Sequence, residues 1–431
     1  MVSPDPVAAP DTVAAPDPVA AHAPGVPPGP GAPCPGEWLV SPGAIGGMEL
    51  PHRTVLELSP EAAWRSESAP VLPVEGGEDG SVRPAGADAL DAGRCGGAGG
   101  LLVVGGGAVS AEGVGGSGWT VLTDVGRRAA LAWAVGRLRS TGARVALRVA
   151  HAGPCAPCGP AVDAAPSWHV DALSARRIAA LVGEFARAGT VARELGFDAV
   201  ELDASAGTLP NRFTAPATNR RTDAWGGDPE RRRLFPLTVV RAVRDAVGTE
   251  FPLLVRISGA DLVADGTPAE DVAELAGEIV RAGADALAVR TGWSERAAAG
   301  AGVRALVPDA AGAGAVTHAV RVKQALAEDG LGRVPVIACL GGPPACAGCE
   351  RRAADGAGGV CPAAGAGWAP SAAQAVPAAS GRGDPVRNDG ESREAAAGGS
   401  PAEAVGQALA RRAIDFVSWP ARSGGCDGCG G

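Results

Sequence analysis

The chain has 431 residues, enough for one large α/β barrel with tails or for two ordinary domains. Its net charge of −9 argues against nonspecific nucleic-acid binding, and no apolar run approaches the roughly 20 residues of a membrane span. The N-terminus lacks the basic start and apolar core of a signal peptide, so a cytoplasmic protein without membrane partners is expected. The chain contains no Tyr, so no tyrosine can donate a proton anywhere in it.

Residues 1–36 are rich in Pro and Ala and repeat PDPVAA, PDTVAA, PDPVAA from Pro4. They carry too little bulky apolar surface to offset ordering entropy, so this tail is expected to be disordered. From about residue 37, short apolar runs alternate with amphipathic stretches. The runs are 53–58, 100–104, 143–149, 197–202, 252–257, 284–289, 334–338 and 414–418. Eight runs separated mostly by helical patterns predict a (β/α)8 TIM barrel over 37–342 and 400–422, with a doubly wound open sheet as the alternative. Ser174 should cap a helix that buries Ile178, Leu181, Val182 and Phe185. Asp228-Pro229 should open another, because Asp caps well and Pro suits the first helical position. Thr267-Pro-Ala-Glu270 and Ser400-Pro-Ala-Glu403 both read as capping boxes.

Two features disturb this pattern. Residues 343–399 form a low-complexity insertion after the seventh run. Only about 13 residues follow the eighth run, ending in a Cys-bearing tail over 423–431, so the barrel is expected to lack a normal eighth helix. Apolar surface left open there would favour a homodimer or a partner subunit.

The chemistry should lie at the C-terminal ends of the strands. Gly105, Gly106 and Gly107 follow the second run, where the lack of side chains lets a flat ring approach the backbone. Arg256 ends the fifth run, and a fixed cation there can stabilise an anionic ring. Gly341 and Gly342 follow the seventh run and Arg422 the eighth, the usual phosphate site of such barrels. Six of the ten cysteines form CxxC pairs: Cys155/Cys158, Cys346/Cys349 and Cys426/Cys429. In a cytosolic chain such pairs point to metal or redox chemistry.

The run NRRTDAWGGDPERRRLF, 219–235, closely resembles a loop of the Old Yellow Enzyme family, the FMN-dependent flavin:NADH oxidoreductases and dienoyl-CoA reductases. IGGMELPHRTV, GLLVVGGGAVSAEG (100–113), HAG (151–153), Arg256 in VRIS and GWSERA (292–297) resemble further motifs of that family, the last its dienoyl-CoA reductase branch. The resemblance implies a barrel that binds FMN, takes hydride from NAD(P)H and passes it to a small-molecule substrate. It places Arg256 at the flavin and Arg148 where the family usually offers Gln to the pyrimidine ring. Glu57-Leu58-Ser59 stands where Ala-Pro-Met/Leu is usual, and Arg422 falls one position late.

The family's catalytic His, second polar residue and Tyr correspond to Asp203, Ala206 and Thr208, and the dienoyl-reductase His to Ser294. Both proton donors of that branch are therefore replaced, and a positioned general acid contributes roughly 10²–10⁴-fold. Asp203 and Thr208 remain the candidates to face the substrate, Asp203 suiting a cationic substrate or acting as a base. Cys346, Cys349 and Cys361 resemble part of the family's iron–sulfur run, with Ala353 in place of the third ligand. With Cys426 or Cys429 they reach the four thiolates of a 4Fe–4S cluster; Cys346, Cys349, Cys426 and Cys429 suit zinc equally. Free thiols are the third alternative. The expected function is an FMN-dependent oxidoreductase with an altered site; a non-catalytic homologue that binds or scaffolds is the alternative.

Overall fold

The computed structural model describes residues 41–58, 74–76, 82–84, 100–115, 119–153, 169–293, 297–298, 301–304, 314–340, 408 and 413–420. The N-terminal tail, the 343–399 insertion, the Ser400 capping box and the C-terminal tail lie outside them, as do all the cysteines of the CxxC pairs and Cys361.

Strands β1 (Gly43–Ile45) and β2 (Met48–Leu50) pair as an antiparallel hairpin. The barrel strands are β3 (Thr54–Leu58), β6 (Leu101–Ala108), β8 (Arg144–Ala150), β9 (Ala199–Ala204), β10 (Leu253–Ala260), β11 (Ala286–Thr291), β12 (Val336–Cys339) and β13 (Phe416–Pro420). All eight pair in parallel, in chain order, and β13 returns to β3 to close the ring. The eight runs predicted from sequence are these eight strands. Two additions were not legible: β4 (Val74–Gly76) and β5 (Val82–Pro84) form a small antiparallel pair, and β7 (Thr120–Val121) adds to β6.

The described barrel helices are α1 (Val125–Arg139), α2 (Ala175–Glu194), α4 (Pro229–Val247), α5 (Ala269–Arg281) and α6 (Ala315–Glu328), with a short α3 (Leu209–Thr214) after β9. Ser174 caps α2 by accepting the Arg177 N–H at 3.2 Å, and Ile178, Leu181 and Phe185 are buried on its inner face. Asp228 caps α4 by accepting the Arg231 N–H at 2.8 Å, with Pro229 first in the helix. The Thr267 capping box does not form. Helix α5 starts at Ala269, and Thr267 donates both its N–H (2.8 Å) and its hydroxyl (2.7 Å) to Asp261. A carboxylate six residues upstream in the same loop outcompetes the cap for that residue.

Two apolar cores flank the strands. The outer one joins the helices to the outward strand faces. The inner one fills the barrel from below: Ile45, Met48 and Leu50 of the hairpin meet Val55, Val103, Ala146, Ala199, Leu254, Ala288, Ile337 and Phe416. Strand side chains alternate, so each residue two places beyond an inner-core residue also points inward. On β3, β8, β9, β10 and β13 those residues are Glu57, Arg148, Glu201, Arg256 and Ser418. An apolar floor therefore carries a charged layer at the C-terminal mouth.

Candidate active site

The charged layer is one bonded network. Arg256 donates to Glu57 Oε2 at 2.7 Å, and Ser418 donates to Glu57 Oε1 at 2.7 Å. Arg148 stands 3.1 Å from the same Oε2 and donates through Nε to Glu201. Five strands thus meet through five side chains. Glu57, Glu201 and Arg256 are buried, at 9, 2 and 3% exposure. Burial raises the Glu57 carboxyl, but the Arg148 and Arg256 charges and the hydrogen bonds from Arg256 and Ser418 outweigh it and hold the group well below the usual range. Burial pushes Glu201 up, against the pull of Arg148 and Arg256. Glu57 and Glu201 help keep both guanidiniums charged in spite of burial.

Such a layer is hard to explain by stability. A buried ion network is often no better than well-packed apolar residues, although removing one member costs roughly 3–5 kcal/mol. Its position at the strand C-termini is where barrels of this type do chemistry. Sequence reasoning found Arg148 and Arg256, but noted Glu57 only as a departure and missed Glu201 and Ser418. The usable signal was period-two spacing: Val55/Glu57 and Ala199/Glu201 place carboxylates on faces that otherwise carry core residues. Cys339, two places beyond Ile337, shares this mouth. Burial pushes its thiol up to about 11, so it is a neutral group and not a nucleophile.

Asp203 pairs in register with Arg256, and its charge acts on both Arg148 and Arg256. Its Oδ1 accepts the Ser205 N–H at 3.0 Å and the Ser205 hydroxyl at 2.6 Å. The Thr208 hydroxyl donates to the Asp203 backbone carbonyl at 2.9 Å. The two proposed catalytic residues are thus brought together, with the Thr208 proton already committed to the backbone. Ala206, between them, has φ +52° and Gly207 has φ +82°. This left-handed pair is held from outside: the Ala206 N–H donates to Ser258 Oγ at 3.0 Å and the Gly207 N–H to Asn211 Oδ1 at 2.9 Å.

Gly105 and Gly106 sit in a bulge of β6, where the register with β8 shifts between Val104 and Gly107. Gly106 has φ +82°, and a Cβ on Gly107 would lie 2.8 Å from the Arg148 carbonyl oxygen. The glycine run therefore has a structural cause beside any role toward a ligand. Gly341, Gly342 and Arg422 lie outside the described residues.

The 219–235 loop turns out to be framework. Asn219 Nδ2 donates to the carbonyls of Phe213 (2.7 Å) and Trp225 (2.8 Å). Arg221 Nη1 donates to those of Val170 and Leu173, both at 2.7 Å. Arg232 ties Thr214 and Gly227 to Asp271. These bonds carry the chain from the mouth to α4, and none of them reaches the charged layer. His151, after β8, is fully buried, and its Nδ1 accepts the Gly153 N–H at 3.1 Å.

The family model for the NADH:flavin oxidoreductase / NADH oxidase family matches residues 42–339. The chain belongs to that family. A metal reductase of Desulforamulus reducens is 41% identical over 123 residues, which are 28% of this chain and 18% of that protein. An NADPH dehydrogenase of Listeria welshimeri is 33% identical over 171 residues, 38% of this chain and 50% of that one. The chain thus spans half or less of the length of these relatives. A solved 2-naphthoyl-CoA reductase complex superposes with a TM-score of 0.59 at 18% identity, covering 89% of this chain and 50% of that one; it shares the fold.

The residues present fit the family's flavin at its anionic edge. Arg256 is buried in the mouth, and its Nε has no hydrogen-bond partner among the described residues. A buried, charged donor with an open N–H suits an acceptor atom of a ring. Among the described residues no cluster of His, Cys, Asp or Glu could hold a metal, and no helix is long and apolar enough to cross a membrane.

Proposed function

We propose that this chain is an FMN-dependent NAD(P)H oxidoreductase that acts on an unsaturated small molecule through an altered site. The observation that carries this is Arg256: a guanidinium with an open N–H, fixed on a barrel strand at the catalytic mouth, in a chain of this family. Bound FMN would supply the hydride chemistry, from NAD(P)H to the substrate. Arg256 would hold the pyrimidine edge, with Arg148 beside it and the β6 glycines leaving room for the ring. Asp203 and Thr208 would face the substrate. Gly341, Gly342 and Arg422 would take the phosphate. The cytoplasm is the proposed location. Cys346, Cys349, Cys361, Cys426 and Cys429 would carry any cluster or zinc, which metal analysis of the purified protein would detect.

A second reading, a non-catalytic homologue, draws on the committed Thr208 hydroxyl and the absence of Tyr. The test is the visible spectrum of the full chain after incubation with FMN, followed by NADH and NADPH consumption. Flavin bands that bleach with either nucleotide support the enzyme. A colourless protein that takes up no FMN overturns it and leaves the second reading.

Enone reduction is expected to be slow in the wild type, because no strong proton donor stands at Asp203 or Thr208. Combining Asp203→His with Thr208→Tyr should raise it by about 10²-fold. Fast wild-type turnover would show that the proton comes from elsewhere.

A further inference from the structure

The fixed cation of this site already has a partner inside the barrel. Two donors and an ion-pair partner from three strands converge on the Glu57 carboxylate: Arg256 donates to Oε2 (2.7 Å), Ser418 donates to Oε1 (2.7 Å), and the Arg148 guanidinium stands 3.1 Å from Oε2. Ordinary side-chain flexibility does not explain this, because Glu57 is buried and stands on a strand, two residues beyond the core residue Val55. A lone guanidinium stabilises a neighbouring negative charge strongly in a water-poor site. Paired with a carboxylate at contact distance it becomes a near-neutral dipole, whose field at a ring is much weaker.

We infer that Glu57 is an internal counter-ion that partly neutralises Arg256 beside the flavin, and so sets how tightly this barrel holds FMN and how readily the bound ring accepts electrons. This rests on the FMN reading above. Glu57 is a positioning residue, bonded to Arg256 and Ser418, and acts through Arg256 and through its own charge. Two consequences follow from charge alone. With Glu57 ionised, oxidised FMN binds weakly, because the carboxylate paired at Arg256 Nη1 reduces the positive field that the open Nε–H presents to the ring. Reduced FMN, which carries the extra negative charge, gains least from the half-neutralised cation and is repelled by the carboxylate. The barrel would therefore hold a flavin of low potential, suited to giving electrons away.

Glu57→Gln keeps the shape and the acceptor for Ser418 while removing the charge. A second variant, Glu57→Asp, keeps the charge that balances the layer but draws the carboxylate back from Arg256 by one methylene. The full-length wild type and both variants would be compared by FMN fluorescence quenching and by equilibrium redox titration, with thermal melts to establish folding. We expect at least tenfold tighter FMN binding and a higher midpoint potential in Glu57→Gln, and smaller shifts in the same directions in Glu57→Asp. A further tenfold preference for the reduced form corresponds to about 30 mV for a two-electron couple. If Glu57→Gln fails to fold, Glu57→Asp carries the test. Equal affinity and potential in wild type and variants, or weaker binding in the variants, overturns the role of Glu57 and leaves the FMN reading standing. No FMN uptake by any of the folded proteins overturns the FMN reading, and this inference with it.

Discussion

Ala206 is one of three non-glycine residues with a left-handed backbone among the described residues, beside Leu262 and Asp265. An L-residue with a Cβ at φ +52° costs roughly 1–2 kcal/mol, and glycine avoids this at a smaller entropic cost in the unfolded chain. Ala206→Gly should therefore stabilise the protein by about 0.5–1 kcal/mol in a urea melt; a loss would mean that the Ala206 side chain makes packing the turn requires. His151 gives a second test. Burial pushes its pKa down to about 4 from an ordinary 6.5, with Arg177 adding to the effect and Glu112 opposing it. The unfolded chain binds the proton more readily, so stability is full above about pH 6.5, falls as the pH drops through 4, and loses about 3 kcal/mol in all. His151→Asn, which keeps an acceptor for Gly153, should remove this component. Identical pH dependence of the urea midpoint in wild type and variant would show that other groups carry the acid loss.

Between elements, a single carboxylate organises the mouth. Asp261, after β10, accepts from Trp293 Nε1 (2.9 Å), Asn211 Nδ2 (3.1 Å) and both Thr267 donors. It thereby joins the loops after β9, β10 and β11. Arg212, also buried, donates to the Gly207 carbonyl at 2.6 Å and lies over the Trp293 ring at 5.3 Å. Asp261→Ala would leave several buried donors without an acceptor, each costing roughly 1–3 kcal/mol. A loss of at least about 3 kcal/mol is expected in denaturant melts, together with faster amide exchange at Gly207 and Trp293. If the loss is below about 1 kcal/mol, water replaces the carboxylate and the loops are held by packing instead.

For the whole barrel, the charged layer doubles as a tie between β3, β8, β9, β10 and β13. Arg256→Ala should act at two levels. It should weaken FMN retention, because the open donor is lost, and it should destabilise the flavin-free protein by roughly 3–5 kcal/mol, because Glu57 loses a buried partner. A melt of the flavin-free variant separates the two effects. Unchanged stability would mean that Arg148 and Ser418 suffice to hold Glu57.

The barrel was legible along the chain because strand and helix periods are local. Runs such as 143–149 and 252–257 announce their strands, and Ser174 and Asp228 their helices, through neighbours a few residues away. Arg256 and Arg148 were legible as site residues by resemblance to a family. What became of them was not. Glu57 and Arg256 are 199 residues apart in the chain, and Glu57 and Ser418 are 361 apart. Closure of the sheet alone brings them within hydrogen-bond distance. Thr267 shows the same limit on a smaller scale: its local pattern specifies a cap, and Asp261, six residues upstream and itself held by Asn211 and Trp293 from other loops, takes both donors. Sequence by itself determined which segments become strands and that the mouth would carry arginines. Tertiary structure decided that those arginines face carboxylates, because charges on separate strands find their partners only when the barrel closes.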